Sequence, residues 1–421
     1  MIYLDNNATT IMPVCVQKSM LNWCNRGNPS AGYASAAESR KMMNQFREYI
    51  GKVCGFSSCC AEDRDVKISA KSKSDPNKYK VIFTSGASEA NATVITSVIS
   101  SYALARNVIP HIVVSSIEHK SIIEAVKSYE SRGLATATFV KPTASGHIQP
   151  TDVESAILPN TCLVCVMHAN NETGAINNIK EIGLRVHKKN VPFHCDTVQS
   201  FGKSPIQPLK DNVDSFSVSF HKLGGPPGVG ALVIKQQFLH GYKLQPIIFG
   251  SQNEGLRGGT ENLPGIGASF TALKYNIESR VEKNNRIKSI KKYIMDEISQ
   301  RIPTSQFPQY GTGPKHAIEI VFLSAIDGYL CNTLLLSIVK RTKPKICNVK
   351  IKQALESKGI VVGIGSACNT ASSKASHVLY EMNADELVRA GVLRISLGDE
   401  NTKEQATTFI KELLSAIKKQ M

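Results

Sequence analysis

Short apolar segments alternate with helical segments between about residues 80 and 235, and this alternation constrains the fold more than any other feature of the chain. Seven β-branched or apolar runs predict strands, at Val81–Thr84, Ile112–Ser115, Thr138–Lys141, Leu163–Met167, Pro192–Asp196, Ser215–Ser219 and Val229–Ile234. Apolar residues at helical spacing predict helices at Ala87–Ala105, Ser121–Ser131 and Asn178–Lys189. Such alternation is typical of an α/β fold with a mostly parallel seven-stranded sheet covered by helices.

A second, smaller α/β segment follows a long helical stretch from about Gly265 to Ile302. In this segment we predict four elements: a strand at Ala317–Phe322, a helix at Asn332–Val339, a strand at Val392–Leu397 and a closing helix at Lys403–Lys419. Two stretches rich in polar and basic residues, Ser57–Tyr79 and Lys340–Lys350, are predicted to be surface insertions.

The composition narrows the class of protein. The chain has 421 residues and a formal net charge of +16. No predicted helix has a continuous basic stripe interleaved with aromatics, so the charge is better explained by a solvated basic surface than by nucleic acid as the primary ligand. Eleven cysteines without a repeating framework indicate reduced thiols inside the cell. No apolar run approaches 18 residues, so we expect a cytoplasmic protein without a membrane span.

Lys222 ends an apolar strand and enters a glycine-rich turn, Leu223 to Gly230. Burial at such a position can lower the pKa of the amine, which a Schiff-base lysine needs because only the neutral amine is nucleophilic. A lysine that merely reaches solvent from a strand end is the other interpretation. The glycines do not form the fingerprint of a dinucleotide-binding turn.

Asp196 lies at the end of another predicted parallel strand, where side chains face the crevice that binds ligands in such sheets. A carboxylate paired with a pyridine nitrogen keeps the ring protonated and makes it an electron sink. Gln199, three residues further on, can reach the same place. The competing interpretation is that Asp196 caps a helix.

The segment Thr84 to Asn91 closes a strand and opens a helix with small residues. Backbone N–H groups at a helix N-terminus form an anion site suited to a phosphate, to which Ser88 can add a hydroxyl. A plain helix cap formed by Ser85 or Ser88 fits the same residues.

With the lysine, the acid at a strand end and the predicted phosphate site, the sequence resembles the cysteine desulfurase family, the class V branch of the fold-type-I pyridoxal-phosphate enzymes. The resemblance extends over nearly the whole chain. The matching stretches are Tyr3–Thr10, Gly27–Ser30, Phe83–Glu89, Glu118–His119, Met167–Gly174, His194–Ser200, Ser219–Lys222, Glu254–Thr260, Gly365–Cys368 and Arg394–Gly398. The resemblance implies a large domain at residues 16–262 and a linking helix with a small C-terminal domain at residues 263–421. Residues 1–15 would join the small domain.

The resemblance also implies roles for individual residues around pyridoxal 5'-phosphate. Lys222 would hold the cofactor and move protons at the substrate α-carbon, His119 would stack on the ring and Asp196 would bind the ring nitrogen. The other implied contacts are Gln199 and Asn171 near the ring hydroxyl and substrate, Ala87, Ser88, Ser219 and His221 at the phosphate, Thr260 at the phosphate of a neighbouring subunit, and Arg394 at the substrate carboxylate. Shared sites of this kind imply a homodimer.

Cys368 distinguishes sulfur transfer from transamination. It lies among small and polar residues, whereas a structural cysteine prefers apolar neighbours. In the family that the chain resembles, this cysteine takes sulfur from L-cysteine as a persulfide, leaves alanine and passes the sulfur to an acceptor protein for iron–sulfur cluster assembly or tRNA thiolation. Cys162 and Cys165 form a C-x-x-C on a predicted buried strand, which favours core packing over a metal site.

Two other functions remain compatible with parts of the sequence. A selenocysteine lyase would use the same scaffold, and the residues around Cys368 do not separate it from a cysteine desulfurase. A catalytically silent basic binding protein would fit the charge, although the lysine, the acid and the predicted phosphate site argue against it.

Overall fold

The computed structural model describes residues 1–55, 78–208, 210–311, 317–342, 345–364 and 376–420. Its strands are β1 Ile2–Leu4, β2 Tyr79–Thr84, β3 His111–Ser115, β4 Thr136–Val140, β5 Thr161–Cys165, β6 Phe193–Asp196, β7 Ser215–Ser219, β8 Gly230–Lys235, β9 Thr304–Gln306, β10 Ile318–Phe322, β11 Thr333–Lys340, β12 Ile360–Val362 and β13 Val392–Ser396. Its helices are α1 Val14–Cys24, α2 Ala34–Val53, α3 Ala87–Arg106, α4 Lys120–Ser131, α5 Pro150–Ser155, α6 Ile179–Lys188, α7 Gln236–Gly241, α8 Leu263–Glu278, α9 Arg280–Ser299, α10 Asn348–Glu356, α11 His377–Glu381, α12 Glu386–Ala390 and α13 Lys403–Lys418.

A seven-stranded sheet in the order β2-β8-β7-β6-β5-β3-β4 forms the larger part of the fold. All neighbouring strands in it are parallel except at β8, which is antiparallel to both β2 and β7. The connection from β7 to β8 is the glycine-rich turn, and a connection this short joins antiparallel strands because it has no room for a crossover helix. The predicted mostly parallel, seven-stranded α/β fold is therefore confirmed.

Both faces of this sheet are covered, since alternate residues of one strand enter different cores. In β3, Val113 belongs to one hydrophobic cluster, whereas Ile112 and Val114 belong to another. In β8, Val233 and Leu232 divide in the same way. Side chains point to alternate faces of a strand, so apolar residues at every position indicate a sheet with helices on each side.

A four-stranded sheet, in the order β13-β11-β10-β9, forms a second layer of structure toward the C-terminus. The predicted helix at Asn332–Val339 is wrong, because Thr333–Val339 belong to β11, which pairs antiparallel with β10 and β13. All eight residues of β11 are buried, so no polar stripe was present to reveal its period. The predicted helical stretch Gly265–Ile302 is two helices, α8 and α9, which meet at Ser279.

The predicted surface insertions correspond only partly to the structure. Lys340 is the last residue of β11 and is buried, and Ile346 packs in a hydrophobic cluster, so Lys340–Lys350 is not wholly a surface segment. Tyr79 begins β2 and is buried, while residues 56–77 of the other insertion lie outside the described ranges.

Strand β1 lies beside β12 in a two-stranded parallel sheet, so the N-terminal residues contact residues from the far end of the chain. The division of the chain at residues 15 and 262 remains a prediction. Among the described residues, no helix combines the length and the apolar character that a membrane crossing requires.

Candidate active site

A cavity of about 590 Å³ opens where β6 and β7 end and α3 begins. Ten of the residues singled out from the sequence line it: Ala87, Ser88, His119, Asn171, Asp196, Gln199, Ser219, His221, Lys222 and Arg394. Thr260 is exposed and is not part of the lining of this single chain. Cys368 lies outside the described residues, but Ile364, four positions before it, lines the cavity.

Lys222 lies in a single 3₁₀ turn, Phe220–Leu223, directly after β7. Gly224 ends the turn with φ 76°, a left-handed conformation that favours glycine, and a Cβ there would lie 2.8 Å from Pro13. The Lys222 Nζ donates to the carbonyl oxygens of Asn7, at 2.7 Å, and Ala8, at 2.6 Å. The turn and the N-terminal segment together hold the amine at the cavity.

Burial, with a smaller contribution from the nearby Arg394 guanidinium, lowers the pKa of Lys222 to about 8, although Asp5 and Asp196 oppose the shift. An amine with this pKa is neutral in a substantial fraction of molecules near neutral pH, as nucleophilic attack on an aldehyde requires. Burial and the same lysine also lower the pKa of His221 to about 4, so its imidazole is neutral.

Asp196 is buried at the carboxyl end of β6, and two donors fix its carboxylate. The Asn91 Nδ2 donates to its Oδ2 at 3.1 Å, and the Val198 backbone N–H donates to its Oδ1 at 2.9 Å. The Asn91 Oδ1 in turn accepts a hydrogen bond from His194 Nε2 at 2.9 Å. Burial lowers the pKa of His194 to about 3, so this imidazole is neutral and its orientation, with Nε2 protonated, is fixed by Asn91 and Ser215.

His119 caps α4 and is connected through hydrogen bonds to Asn91, which also binds Asp196. Its Nδ1 accepts from the Ser121 backbone N–H at 3.2 Å and lies 2.9 Å from the Ser121 Oγ. That hydroxyl also accepts from Asn91 Nδ2, at 3.0 Å. Burial lowers the pKa of His119, with Asp196 opposing the shift, which favours a neutral imidazole beside the cavity.

The start of α3 forms a cradle of backbone N–H groups at the other end of the cavity. Gly86, Ala87 and Ser88 all line the cavity at the N-terminus of this 20-residue helix. A Cβ at Gly230 would lie 2.6 Å from the backbone of Gly86, so glycine at this position of β8 allows the strand to approach the cradle closely. The positive end of the helix dipole and free N–H groups suit an anion such as a phosphate.

Arg394 and Gln199 each bring one unpaired atom to the site. The Arg394 Nη2 lies 2.7 Å from Asp5 Oδ1 and its Nη1 donates to the Asn171 carbonyl oxygen at 2.9 Å, while its buried Nε has no partner among the described residues. The Gln199 Nε2 donates to the Asn7 carbonyl oxygen at 3.1 Å, and its buried Oε1, an acceptor, has no partner among the described residues.

Three residues of the site were missed by the sequence reasoning: Asp5, Asn7 and Asn91. Asp5 and Asn7 line the cavity. They belong to the stretch Tyr3–Thr10, which matches the family as a stretch without a role for either residue. Asn91 lies one helical turn after Ala87, so it shares the face of α3 that carries the cradle, and this spacing could have revealed it.

Glu118, beside His119, is completely buried, and the pKa of its carboxyl group is strongly raised. Burial, together with the nearby Asp196, raises its pKa to about 8, although the Ser115 hydroxyl and the Met167 N–H oppose the shift. Both of those donors bind Oε1, at 2.5 and 2.6 Å, and Oε2 has no partner among the described residues. Glu118 is therefore a neutral acid in the folded protein at neutral pH.

This buried acid should make the stability of the fold depend on pH. Folded Glu118 keeps its proton up to about pH 8, whereas an unfolded glutamate loses it near 4.5, so the folded state binds more protons between these values. The free energy of unfolding therefore falls as the pH rises through this window, by up to about 1.4 kcal/mol per pH unit. Glu118→Gln, which keeps the Oε1 acceptor, should remove this contribution in urea unfolding at pH 5.5, 6.5 and 7.5.

The buried histidines provide no alternative explanation, because His168 and His194, whose pKa values are lowered to about 4 and 3 by burial, are present in both proteins. Parallel pH dependences of wild type and Glu118→Gln would show that Glu118 is ionised in the folded state.

Cys162 and Cys165 both lie on β5 and are fully buried in one hydrophobic cluster, as predicted for core residues. Burial raises the pKa of Cys162 to about 12 and that of Cys165 well above its ordinary value. Neither thiol is therefore available as a thiolate near neutral pH.

The sequence is similar to those of known proteins along nearly its whole length. The family model for aminotransferase class-V matches residues 71–409. A protein described as cysteine desulfurase IscS from Clostridium botulinum is 33% identical, with 100% of this chain and 94% of that protein covered. A putative cysteine desulfurase IscS 1 from Bacillus subtilis is 31% identical, with 99% of each chain covered.

Solved structures agree with these sequence relatives. A protein described as NifS-like superposes with a TM-score of 0.80 at 27% identity, covering 99% of each chain. Another structure, SspA in complex with cysteine, superposes with a TM-score of 0.72 at 29% identity, covering 94% of this chain and 99% of that one.

The fold and the family model together define a class V aminotransferase fold of the type that generally uses pyridoxal phosphate. Within that class, the full-length relatives place the chain in a single branch: it belongs to the cysteine desulfurase family.

Proposed function

We propose that this enzyme removes sulfur from L-cysteine with pyridoxal 5'-phosphate as cofactor, forms a persulfide on Cys368 and releases L-alanine. The observation that carries the proposal is the convergence of a lysine of lowered pKa, a fixed buried carboxylate and an N–H cradle on one cavity. The solved complex of the relative SspA with cysteine supports the same substrate.

The residues present fit the cofactor. The cradle at Gly86, Ala87 and Ser88 would bind its phosphate, with Ser219 and His221 beside it. Asp196, held by Asn91 and Val198, would accept a hydrogen bond from the protonated ring nitrogen. The cavity volume of about 590 Å³ lies within the roughly 300–1,000 Å³ of typical cofactor pockets.

The remaining side chains of the cavity would bind the substrate and move its protons. When bound, pyridoxal phosphate supplies an electron sink for the pair released at the substrate α-carbon. Lys222, as a neutral amine, would take the proton from that carbon, and neutral His119 would pack on the ring. Arg394 would bind the substrate carboxylate through its unpaired Nε and through Nη2, the nitrogen that pairs with Asp5.

Cys368 would then attack the substrate sulfur. The Cβ–S bond of the substrate breaks, an S–S bond forms to Cys368 Sγ, and Cβ takes a proton, so that the enzyme thiol and cysteine yield alanine and an enzyme persulfide. Cys368 follows Ile364, a residue of the cavity wall, by four positions in the sequence.

A homodimer with shared sites is part of the proposal. Thr260 is exposed, and the neighbouring residues Ile247, Ile248 and Phe249 expose 42, 38 and 80% of their surface. The Gly258 N–H donates to the Ile248 carbonyl oxygen at 2.7 Å, which brings this apolar run close to Thr260. An exposed apolar patch of this kind is typical of a protein interface, and a second subunit bound there would place Thr260 at its partner's phosphate site.

The persulfide sulfur would pass to a thiol of an acceptor protein, such as an iron–sulfur scaffold or a protein of tRNA thiolation. Such a transfer needs a nucleophilic thiolate on the acceptor and an accessible persulfide. The IscS-type relatives support an acceptor in iron–sulfur cluster assembly.

Assay of the purified protein tests the function directly. Incubation with L-cysteine and a reductant should release alanine and sulfide in equal amounts, and the protein should purify yellow with stoichiometric bound pyridoxal phosphate. A colourless protein that forms no alanine even after the cofactor is added would contradict the proposal.

A further inference from the structure

His194 and Asp196 lie on the same face of β6, because side chains two positions apart in a strand point to the same side of the sheet. Both are buried, and one side chain from α3 joins them. The Asn91 Nδ2 donates to Asp196 Oδ2 at 3.1 Å, and the Asn91 Oδ1 accepts from His194 Nε2 at 2.9 Å. Asp196 is therefore connected, through a single amide, to a histidine that is not part of the described cavity lining.

The hydrogen bonds of this group run in one direction. The Asp196 carboxylate only accepts, so the NH₂ group of Asn91 must face it and the amide oxygen must face His194. Burial lowers the pKa of His194 to about 3, so its ring has one proton, and Nε2 must carry it. Ser215 lies opposite His194 in the register of β6 and β7, and its hydroxyl, 2.8 Å from Nδ1, is left to donate.

The second N–H of the Asn91 amide extends the group to His119. It donates to the Ser121 Oγ at 3.0 Å, and that hydroxyl lies 2.9 Å from His119 Nδ1. The amide therefore joins the carboxylate to the histidine beside the cavity. Asn91 is completely buried and all three of its hydrogen bonds are made, so turning the amide over would leave polar groups facing groups of the same kind.

We propose that His194, acting through Asn91, is a positioning residue for the Asp196 carboxylate: the His194 Nε2–H holds the amide with its NH₂ group toward Asp196, in the orientation that lets this carboxylate bind the ring nitrogen of pyridoxal phosphate. This inference rests on the proposed function. Without the His194 donor, the amide oxygen has no partner in this group and the amide is free to turn. Its oxygen then faces the carboxylate, and the two acceptors repel each other.

Three replacements of His194 separate the position of the donor from the bulk of the side chain. His194→Gln keeps an N–H near the position of Nε2, His194→Asn keeps one near the position of Nδ1, and His194→Leu keeps none. Alanine release should stay within about threefold of wild type in His194→Gln and fall about 10-fold or more in the other two, as for other hydrogen bonds to charged groups. Asn91→Leu should show the same loss as His194→Leu.

A second measurement needs no turnover. Pyridoxal phosphate labelled with nitrogen-15 in the ring reports the protonation of that nitrogen through its NMR chemical shift. Wild type and His194→Gln should share the shift of a protonated ring, whereas His194→Leu, His194→Asn and Asn91→Leu should move toward the shift of a neutral ring, because the carboxylate holds the proton less well. A loss of packing alone would not change the protonation of the ring.

His111→Leu is the matched control. His111 is also a buried histidine of the large sheet, with Thr161 Oγ1 at 2.8 Å and Thr138 Oγ1 at 2.9 Å from its ring nitrogens, and it is not part of the described cavity lining. Its loss should leave the nitrogen-15 shift of the cofactor unchanged. If His194→Leu does not fold, His194→Gln and His194→Asn carry the test, because both side chains are amides and differ in where the N–H lies.

The same nitrogen-15 shift in His194→Gln and His194→Asn, or an equal change in His111→Leu, would overturn the positioning role. Failure of the proposed function would look different, because the wild-type protein would then form no alanine from L-cysteine, whatever the state of the ring nitrogen.

Discussion

Replacing Lys222 with alanine is expected to lower alanine release from L-cysteine by at least about 10³-fold, since proton transfer by a positioned side chain contributes roughly 10²–10⁴-fold. The variant also loses the amine that lines the cavity and donates to the backbone carbonyl oxygens of Asn7 and Ala8. Lys222→Arg should be equally inactive, because a guanidinium keeps the charge but does not deprotonate. Steady-state alanine release and the absorbance of bound cofactor are the measurements.

Lys235→Ala provides the control for Lys222. Lys235 ends β8 of the same seven-stranded sheet, but it pairs with Asp214 at 3.0 Å and does not line the cavity. Its loss should leave both alanine release and cofactor absorbance close to those of wild type. Activity of Lys222→Ala at the level of this control would contradict the assignment of Lys222.

Replacing Cys368 with alanine is expected to abolish alanine release without preventing cofactor binding or exchange of the substrate α-proton. The sulfur has no acceptor thiol in this variant, whereas the cofactor residues are untouched. The measurement is single-turnover alanine formation without added thiols, together with mass spectrometry of the wild-type protein for one additional sulfur.

Cys347→Ala is the matched control for Cys368, because Cys347 is a partly exposed cysteine that precedes α10 and does not line the cavity. It should retain alanine release and the mass increase. An unchanged yield of alanine in Cys368→Ala would show that another group accepts the sulfur.

The large sheet could be predicted from the sequence because its strands carry two independent signals. Ile112–Ser115 is a short run of mostly β-branched residues, and Ser215–Ser219 alternates serine with Phe216 and Val218. Predicted helices separate three of the six consecutive pairs of strands. Every predicted strand of this sheet begins and ends within two residues of the observed one. The run at β11 is rich in leucine, which favours a helix as well as a buried strand, and its length and burial leave no alternation that would indicate a strand.

The site was predictable where one residue type is tied to one chemistry. Asp196 ends a strand, and Lys222 and the small residues at Gly86–Ser88 each lie just after one. The carboxyl ends of the strands in such a sheet meet at one crevice. Asn91 and Asp5 were not predicted because their roles depend on tertiary contacts. Asn91 reaches Asp196 from α3, 105 positions away, and Asp5 reaches Arg394 across the fold.

The contact between Asp5 and Arg394 has a consequence for biosynthesis. These residues are 389 positions apart, at 2.7 Å from Nη2 to Oδ1, and β1 lies beside β12 rather than beside any strand near it in sequence. The ribosome releases the chain from its N-terminus, so Asp5 has left the exit tunnel long before Arg394 is synthesised. The seven-stranded sheet can form during translation before Arg394 is made, but the contact between Asp5 and Arg394 at the substrate end of the cavity cannot. A nascent chain that has not yet reached Arg394 therefore lacks part of the proposed substrate site.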